Sequence, residues 1–240
     1  MSARPPLTVN GWMRWALIAP LLPDVASALE IGVGQGALGY RLAERYRYTG
    51  LELDAQALAV ARRRLVRGTL LHGDLDALPP DERFDLVVAT EVLEHYEDDV
   101  AALRLWRERV ATPGWLLLSV PAFAERFGPW DVKAGHYRRY EREQLATALR
   151  AAGFEPLAIR TYGFPLGNLL EAARDQVAKR ERQTIDESMD ERTAKSGRLL
   201  QPSALTGWLT AGAGAIGGVL ERPFTAGRHG VGFVALARRS

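Results

Sequence analysis

A glycine-rich segment between a short apolar run and a helical pattern constrains this chain more than any other feature. Residues 30–36 read Glu-Ile-Gly-Val-Gly-Gln-Gly, the apolar run at 28–31 predicts a strand, and residues 37–47 predict a helix. Glycines at such a junction let the backbone turn tightly and approach a ligand without Cβ clashes. The helix that follows offers free N–H groups and the positive end of its dipole. The segment therefore predicts a strand, a loop and a helix that together bind a ligand.

Strand and helix signals alternate from residue 26 to about residue 160, which predicts a doubly wound α/β fold with a mostly parallel sheet. The predicted strands are 28–31, 48–53, 70–72, 84–89, 115–120 and 154–161, and the predicted helices are 37–47, 55–67, 98–110 and 141–152. Pro113-Gly114 predicts a turn before the fifth strand, and Gly153 predicts a helix end.

The remainder of the chain has a different character. Residues 166–179 predict a helix, the highly charged residues 180–198 predict a solvent-exposed segment, and residues 203–221 are apolar and weakly helical. Residues 230–237 predict a last strand. We therefore expect one domain over residues 26–240, with a helical insertion at 165–229 between the last two strands and a helical lid at 1–25.

Composition excludes several kinds of chemistry. The chain has no cysteine, so neither a thiolate nucleophile nor a cysteine-ligated zinc site is available. Its four histidines show no HExxH motif and no paired ligand spacing, and we therefore expect no metal site. The net charge of +2 comes without a basic stripe, which argues against nucleic acid as a partner.

The sequence also predicts a cytoplasmic protein. No apolar run approaches the length of about 20 residues that a membrane-spanning helix needs. The N-terminus loosely imitates a secretory signal, but Pro20, Pro23 and Asp24 interrupt its apolar run. Nothing in the sequence decides between a monomer and a homodimer.

The glycine-rich segment is compatible with two cofactors. Gly32, Gly34 and Ala37 satisfy the dinucleotide pattern G-x-G-x-x-G/A. Glu52, at the end of the second strand, could bind the ribose hydroxyls of a nicotinamide or an adenosyl cofactor. Glu30 distinguishes the two cofactors. Its carboxylate suits the ammonium group of an adenosyl cofactor and would repel the pyrophosphate of a nicotinamide cofactor. A tight turn without a ligand is a third interpretation, and it leaves Glu52 unexplained.

Five motifs together carry a resemblance to a known family. They are residues 30–36, Gly50-Leu51-Glu52-Leu53-Asp54, Gly73-Asp74, Phe84-Asp85 and Glu91-Val92-Leu93-Glu94-His95. In this order the chain resembles the class I S-adenosylmethionine-dependent methyltransferases, most closely the small-molecule branch typified by quinone-biosynthesis enzymes. The resemblance covers the chain from residue 26 to about residue 162. It also implies a seventh, antiparallel strand inserted between the fifth and sixth strands, which residues 230–237 suit.

The resemblance implies S-adenosylmethionine as the cofactor and S-adenosylhomocysteine as its product. The residues that it assigns to the cofactor are Glu30, Gly32, Gly34 and Gly36 for the methionine part, Glu52 for the ribose with Leu53 beside it, Asp74 and Leu75 for the adenine, and Glu91 beside the glycine loop.

The methyl acceptor is expected to be a small molecule. The fourth strand ends in Thr90-Glu91-Val92-Leu93, which differs from the Asn-Pro-Pro-aromatic signature of adenine and glutamine methylation. The absence of cysteine excludes cytosine C5 methylation through a thiolate. We therefore expect transfer to an oxygen or nitrogen of a small-molecule metabolite.

The segment 135–140, Gly-His-Tyr-Arg-Arg-Tyr, follows the fifth strand, where open α/β sheets bind ligands. In one interpretation His136 is the general base and Asp131 orients it. Tyr137 or Trp130 would then cover the sulfonium by a cation–π contact. In the other interpretation the Arg-Arg-Tyr part packs a loop against the sheet and His136 is a strut.

Three questions stay open at this stage. His95 either contacts the substrate or caps the helix that begins near Asp98. The apolar residues Trp12, Met13 and Trp15 belong either to a lid or to the buried face of a first helix. The alternatives to a methyltransferase are a nicotinamide-dependent oxidoreductase and a non-catalytic cofactor-binding protein.

Overall fold

The computed structural model describes residues 4–65, 67–181, 207–220 and 222–239. Its centre is a seven-stranded sheet with the strand order β3-β2-β1-β4-β5-β7-β6. The strands are β1 Ser27–Ile31, β2 Arg47–Glu52, β3 Thr69–His72, β4 Phe84–Thr90, β5 Val110–Pro121, β6 Glu155–Tyr162 and β7 Gly232–Arg239. Strand β7 pairs antiparallel with both β5 and β6, whereas the pairs formed by β1 to β5 are all parallel. The predicted seven-stranded, mostly parallel sheet with an antiparallel last strand is therefore confirmed.

Helices lie on both faces of the sheet. The α-helices are α1 Val9–Ile18, α2 Ala37–Ala43, α3 Ala55–Arg64, α4 Asp99–Arg109, α5 Pro129–Ala134, α6 Arg142–Ala151, α7 Leu166–Glu181 and α8 Gly207–Leu220. Short 3₁₀ turns lie at Ala19–Leu21, Leu75–Ala77, Leu93–His95, Ala124–Arg126 and Arg222–Phe224.

Two apolar clusters, one on each face, form the core. One face buries Trp106 of α4 and Leu149 of α6 against the strands. The other buries Ile18 of α1 and Leu42 of α2. Because parallel strands are covered on both faces, their side chains are apolar along nearly their whole length, as in the fully buried Leu86–Ala89 part of β4.

Two element boundaries differ from those that the sequence predicts. Helix α2 ends at Ala43 rather than near residue 47, because Arg47 already pairs with Ser27 in the sheet. Strand β5 continues through Pro113-Gly114, where a turn is predicted. Its pairing with β4 shifts there, but Gly114 pairs with Arg239 of β7, whose guanidinium also donates to the Val110 carbonyl at 2.7 Å. Pairing with a distant strand thus keeps this bulged segment in the sheet.

Strands β6 and β7 are neighbours, and α7 and α8 lie between them in the chain. Helix α7 packs against α5, and α8 packs against α1. The contact between α1 and α8 requires small residues, because a Cβ on Gly214 would lie 2.1 Å from the Cβ of Trp12. The predicted exposed segment at 180–198 falls almost entirely outside the described residues. Within the described residues, no helix has both the length and the apolarity to cross a membrane.

Candidate active site

A cavity of about 950 Å³ opens at the carboxyl ends of the strands. Ile31, Glu52 and Thr90, which end β1, β2 and β4, contribute to its walls together with the glycine loop. The sheet order reverses between β1 and β4, and in open α/β sheets ligands bind at this switch point. Residues of helices α1 and α7 also line it.

The glycine loop owes its shape to two positions. Gly32 has a φ of 77°, and a Cβ there would lie 2.7 Å from Cγ2 of Val92. Gly36, with a φ of 81°, is the N-cap of α2 and faces Ala61 rather than the cavity. Gly32 and Gly34 line the cavity, so two of the three predicted glycines lie at it. Gly36 instead forms the turn into helix α2.

Glu52 joins the loop to the second strand. One carboxylate oxygen accepts a hydrogen bond from the Gly34 N–H at 2.6 Å, and the other accepts from the Asp54 N–H at 2.8 Å. Burial raises the pKa of Glu52, although these backbone bonds oppose the shift. A carboxylate has about four lone-pair sites, so Glu52 can still accept bonds from ligand hydroxyls in the cavity that it lines.

Glu30 lies deeper, at 1% exposure, and the hydroxyl of Tyr48 donates to it at 2.5 Å. Burial raises the pKa of Glu30 to about 8, which the Tyr48 hydrogen bond partly offsets. Sequence reasoning missed Tyr48. Its signal is indirect: glycines inside a helix and a strand, Gly39 and Gly50, make room for its hydroxyl, since a Cβ would approach it to 2.4 Å and 2.5 Å.

Of Leu53, Asp74 and Leu75, which the resemblance assigns to the cofactor, two line the cavity. Asp74 lines the cavity and caps the following 3₁₀ turn by accepting from the Asp76 N–H at 3.0 Å. Leu53 also lines the cavity and is 56% exposed. Leu75 packs against the apolar core instead, because it lies within the turn that Asp74 caps.

Glu91 follows β4 in a left-handed conformation with a φ of 57°. Its carboxylate accepts from the hydroxyls of Ser119 at 2.9 Å and Tyr162 at 3.2 Å, and Arg14 of α1 lies 3.7 Å away. Burial acts to raise the pKa of Glu91, but the charge of Arg14 and these hydrogen bonds outweigh it and lower the pKa. The resulting charged pair joins α1 to the end of β4.

Asp131 and His136 form a pair of little-exposed side chains that also lines the cavity. The Nδ1 atom of His136 lies 2.8 Å from Oδ1 of Asp131. The second oxygen of Asp131 accepts from Arg139 at 2.7 Å and from the Gly128 N–H at 2.8 Å. Burial acts to raise the pKa of Asp131, but the bonds from His136 and Arg139 lower it overall. A charged Asp131 therefore holds the His136 ring with Nε2 on its opposite side.

His95 stands beside this pair. Its ring is perpendicular to that of His136 with centroids 4.9 Å apart, and its Nδ1 lies 3.0 Å from the Gly135 carbonyl. Burial, reinforced by the nearby His136, lowers the pKa of His95 to about 4. The helix-capping alternative for His95 is wrong, because the side chain of Asp98 caps α4 by accepting from the Ala101 N–H at 2.8 Å.

Glu94 was not among the predicted site residues. It is fully buried, and both of its carboxylate oxygens lack a hydrogen-bond partner among the described residues. One of these oxygens lies 3.8 Å from Nε2 of His136. Burial raises the pKa of Glu94 well above its usual range, and the nearby Glu91 adds to the shift.

Tyr137 takes a different place from the one expected. Its side chain is 40% exposed and does not line the cavity, because its backbone N–H is bound at 2.8 Å to the Glu94 carbonyl and the ring points outward. Trp130 does line the cavity. Of these two aromatic residues, Trp130 is thus the one that lines the cavity.

The Arg-Arg-Tyr part of the same segment fastens the loop. Tyr140 donates to Asp99 at 2.9 Å, Arg138 lies 3.3 Å from the same carboxylate, and Arg139 pairs with Glu171 of α7. Each of the two interpretations of this segment therefore applies to a different part of it. Its last three residues hold the loop in place, while His136 faces the cavity.

The family model and the curated relatives described here are all methyltransferases. A family model described as "Methyltransferase domain" matches residues 13–159. A dTDP-3-amino-3,6-dideoxy-alpha-D-glucopyranose N,N-dimethyltransferase from Streptomyces fradiae is 33% identical over 50% of this chain and 49% of its own length. A malonyl-[acyl-carrier protein] O-methyltransferase from Enterobacter lignolyticus is 30% identical over 62% of each chain.

Similarity to solved structures extends over nearly the whole chain. An S-adenosylmethionine-dependent methyltransferase from Mesorhizobium loti superposes with a TM-score of 0.57 at 17% identity, covering 96% of this chain and 100% of that one. At this identity the similarity shows the fold. The chain spans about half to three fifths of the length of the curated relatives that it matches.

Proposed function

Because the chain belongs to the class I S-adenosylmethionine-dependent methyltransferases, we propose that it transfers the cofactor's methyl group to an oxygen or nitrogen of a small-molecule metabolite. The observation that carries this proposal is that two chemically different groups of side chains line one cavity. We assign the part lined by Glu30 and Glu52 to the cofactor and the part lined by the Asp131–His136 pair to the acceptor, and we call them the cofactor end and the acceptor end. The relatives named above are an amino-sugar N,N-dimethyltransferase and an O-methyltransferase, which supports an oxygen or nitrogen acceptor.

Each residue at the cofactor end has a function that its chemistry suits. Glu30 would bind the ammonium of the methionine part, Glu52 the ribose diol and Asp74 the adenine amine. Binding of a cation beside Glu30 would favour its charged form despite burial. Charge-assisted hydrogen bonds from the ribose hydroxyls would likewise stabilise the charged form of Glu52.

The acceptor end has to align a nucleophile and remove its proton. Bound S-adenosylmethionine would supply an electrophilic methyl group, and the residues of this end would align the acceptor atom with it. His136 faces the cavity while its Nδ1 is held by Asp131 at 2.8 Å, so Nε2 is the atom that meets the acceptor. With no further group present, this nitrogen accepts the acceptor's proton.

We also propose that the described parts of residues 1–25 and of the insertion at 165–229 cover this cavity. Arg14 of α1 and Leu170, Arg174 and Val177 of α7 line it. These side chains would exclude water from the sulfonium, and Trp130 would stabilise its charge by a cation–π contact.

The test combines ligand binding with turnover. Calorimetry should show S-adenosylhomocysteine binding at one site per chain, and mass spectrometry should show a methyl gain in members of a panel of hydroxylated and aminated metabolites. His136→Ala should lower turnover by roughly 10²–10⁴ while cofactor affinity stays nearly unchanged. His229→Ala is the control, because His229 is exposed and lies outside the cavity.

Two results would contradict the proposal. Binding of NAD(H) in place of S-adenosylhomocysteine would indicate an oxidoreductase. Cofactor binding with no methyl transfer to any acceptor class would indicate a non-catalytic binding protein.

A further inference from the structure

We propose that Glu94, His95 and His136 bind a divalent cation of the Zn²⁺ or Mn²⁺ type, and that this cation binds the hydroxyl oxygen of the methyl acceptor. The inference rests on the proposed function and narrows it to O-methylation. The three side chains form one cluster on the acceptor side of the cavity, and their potential ligand atoms all lie within 4.8 Å of one another.

The spacing is close to what a metal ion requires. Two ligand atoms held about 2.1 Å from a tetrahedral ion are about 3.4 Å apart. The measured distance from His136 Nε2 to Glu94 Oε1 is 3.8 Å, too long for a hydrogen bond between them. Side-chain adjustments of about 1 Å would complete the coordination.

Both imidazoles carry the support that metal-binding histidines usually have. A ligating histidine normally donates its other ring N–H to a carboxylate or a backbone carbonyl, which fixes the tautomer and the ring orientation. Here Nδ1 of His136 meets Asp131 at 2.8 Å, and Nδ1 of His95 meets the Gly135 carbonyl at 3.0 Å. With Nδ1 as the donor, Nε2 carries the lone pair in each ring.

The buried side chain of Glu94 is an independent observation that points to a ligand at this place. A carboxylate buried without a hydrogen bond is costly, and such groups are rare in folded proteins. Both oxygens of Glu94 are in this state among the described residues, and the side chain has 0% exposure. Neighbouring Glu91 differs, since Ser119, Tyr162 and Arg14 all contact its carboxylate. A cation between Glu94 and the two rings would remove the cost.

The donor set selects the kind of ion. Two imidazoles and one carboxylate suit Zn²⁺, Mn²⁺ and related first-row ions, and three protein ligands leave positions open for a substrate. His95 and His136 line the cavity, so these open positions face the acceptor. Sequence reasoning predicted no metal site because the two histidines are far apart in the chain. The turn at Leu93–His95 and the loop after α5 bring them together.

The cation would act on the acceptor's proton. A bound hydroxyl becomes much more acidic, as zinc-bound water does with a pKa of about 7. The proton passes to a water molecule, the oxygen attacks the methyl carbon, and the sulfonium leaves as neutral S-adenosylhomocysteine with the carbon–sulfur electron pair. A coordinated amine has its lone pair on the metal and cannot attack, whereas a coordinated oxygen keeps further lone pairs. The site therefore favours a hydroxyl acceptor.

Metal binding can be measured without knowing the acceptor. Full-length protein treated with a chelator and then dialysed is titrated with Zn²⁺, Mn²⁺ and Mg²⁺ by calorimetry. We expect one Zn²⁺ per chain, and Glu94→Gln should weaken its binding by about tenfold or more. Co²⁺ should give the visible absorption of an ion with fewer than six ligands, and His95→Gln should change that spectrum. Glu108→Gln and His229→Gln, both exposed and outside the cavity, are the controls.

Thermal stability is a second measurement, and it distinguishes a variant that has lost metal binding from one that does not fold. Without metal, Glu94→Gln should have a Tm close to that of the wild type, because glutamine has nearly the same size and shape as glutamate. Zn²⁺ should raise the Tm of the wild type but not that of Glu94→Gln.

The outcomes separate the two proposals. If the wild type binds S-adenosylhomocysteine but no stoichiometric Zn²⁺ or Mn²⁺, the cation site is overturned and the methyltransferase proposal stands. Retention of Zn²⁺ affinity by both Glu94→Gln and His95→Gln would also overturn the site, since the ion would then be bound elsewhere. Failure to bind S-adenosylhomocysteine would count against the proposed function itself.

Discussion

Glu52 connects the backbone of the glycine loop to the end of the second strand, and we propose that the same carboxylate binds the cofactor's ribose. Its bonds to the Gly34 and Asp54 N–H groups, at 2.6 Å and 2.8 Å, hold both oxygens in place before any ligand arrives. Such preorganisation lowers the ordering cost of binding. One side chain thus links the local structure of the loop to affinity.

Glu52→Ala should weaken S-adenosylhomocysteine binding ten- to a hundredfold, which corresponds to roughly 1.5–3 kcal/mol for the lost charge-assisted hydrogen bonds. Isothermal calorimetry measures the change, and Glu143→Ala on the exposed surface of α6 is the matched control. An unchanged affinity in Glu52→Ala would remove Glu52 from the binding site.

Glu30 predicts a pH effect on stability. Its folded-state pKa is raised to about 8, so between its unfolded pKa, near 4.5, and pH 8 the folded state keeps a proton that the unfolded state has lost. The free energy of unfolding therefore falls as pH rises through this window, by an amount on the order of 3 kcal/mol at pH 7.

Glu30→Gln should abolish this contribution. In the absence of cofactor the variant should have a higher Tm than the wild type at pH 7 and nearly the same Tm at pH 4.5, while binding S-adenosylhomocysteine more weakly for want of a charge opposite the ammonium. Scanning calorimetry at several pH values checks the effect. Parallel pH dependence in the two proteins would show that Glu30 is not the responsible group.

At the scale of elements, local patterns predicted the strands and most of the helices, but they missed the short helix Pro129–Ala134 and did not predict where elements end. Apolar periodicity and glycine signals depend on neighbours in the chain, and these sufficed to identify all seven strands. The ends depend on distant pairing, as where Arg47 joins Ser27 or Gly114 joins Arg239. The turn predicted at Pro113-Gly114 was therefore wrong.

The same difference between local signals and distant contacts explains which site residues could be predicted from the sequence. Motif order predicted the residues at or just beyond the carboxyl ends of strands, such as Glu30, Glu52 and Asp74, because these ends lie at one edge of a parallel sheet. Tyr48 and Glu94 were missed because their significance comes from partners that the sequence does not place beside them. The functions of the site residues remain predictions for the experiments above.

The contact between α1 and α8 predicts opposite effects for two glycines in one helix. A Cβ on Gly214 would collide with Trp12 at 2.1 Å, whereas nothing lies within 4 Å of a Cβ on Gly212. Gly214→Ala should lower the Tm, since overpacking costs about 1–3 kcal/mol. Gly212→Ala should leave or raise it, because alanine is favoured over glycine in helices by about 1 kcal/mol. Equal shifts in both variants would contradict this packing.

At the scale of the whole molecule, the cavity depends on segments far apart in the chain. Arg14 comes from the first helix and Arg174 from the segment between the last two strands, yet both face the same space as the glycine loop. Such convergence explains why the fold class could be predicted from local signals while the shape of the acceptor end could not. The cytoplasmic location and the choice between monomer and homodimer remain predictions.

If α1 and α7 cover the cavity, cofactor binding should stabilise both helices together with the loop. At a concentration 100 times its Kd, S-adenosylhomocysteine stabilises the binding-competent state by about 2.7 kcal/mol, so amide exchange that needs the cavity to open should slow by about a hundredfold. Hydrogen–deuterium exchange should show this slowing in residues 9–18 and 166–177, while α6, on the face that carries Trp106, stays unchanged. Glu52→Ala at the same ligand concentration should lose most of the protection. Slowing confined to the glycine loop would mean that neither helix closes over the cofactor.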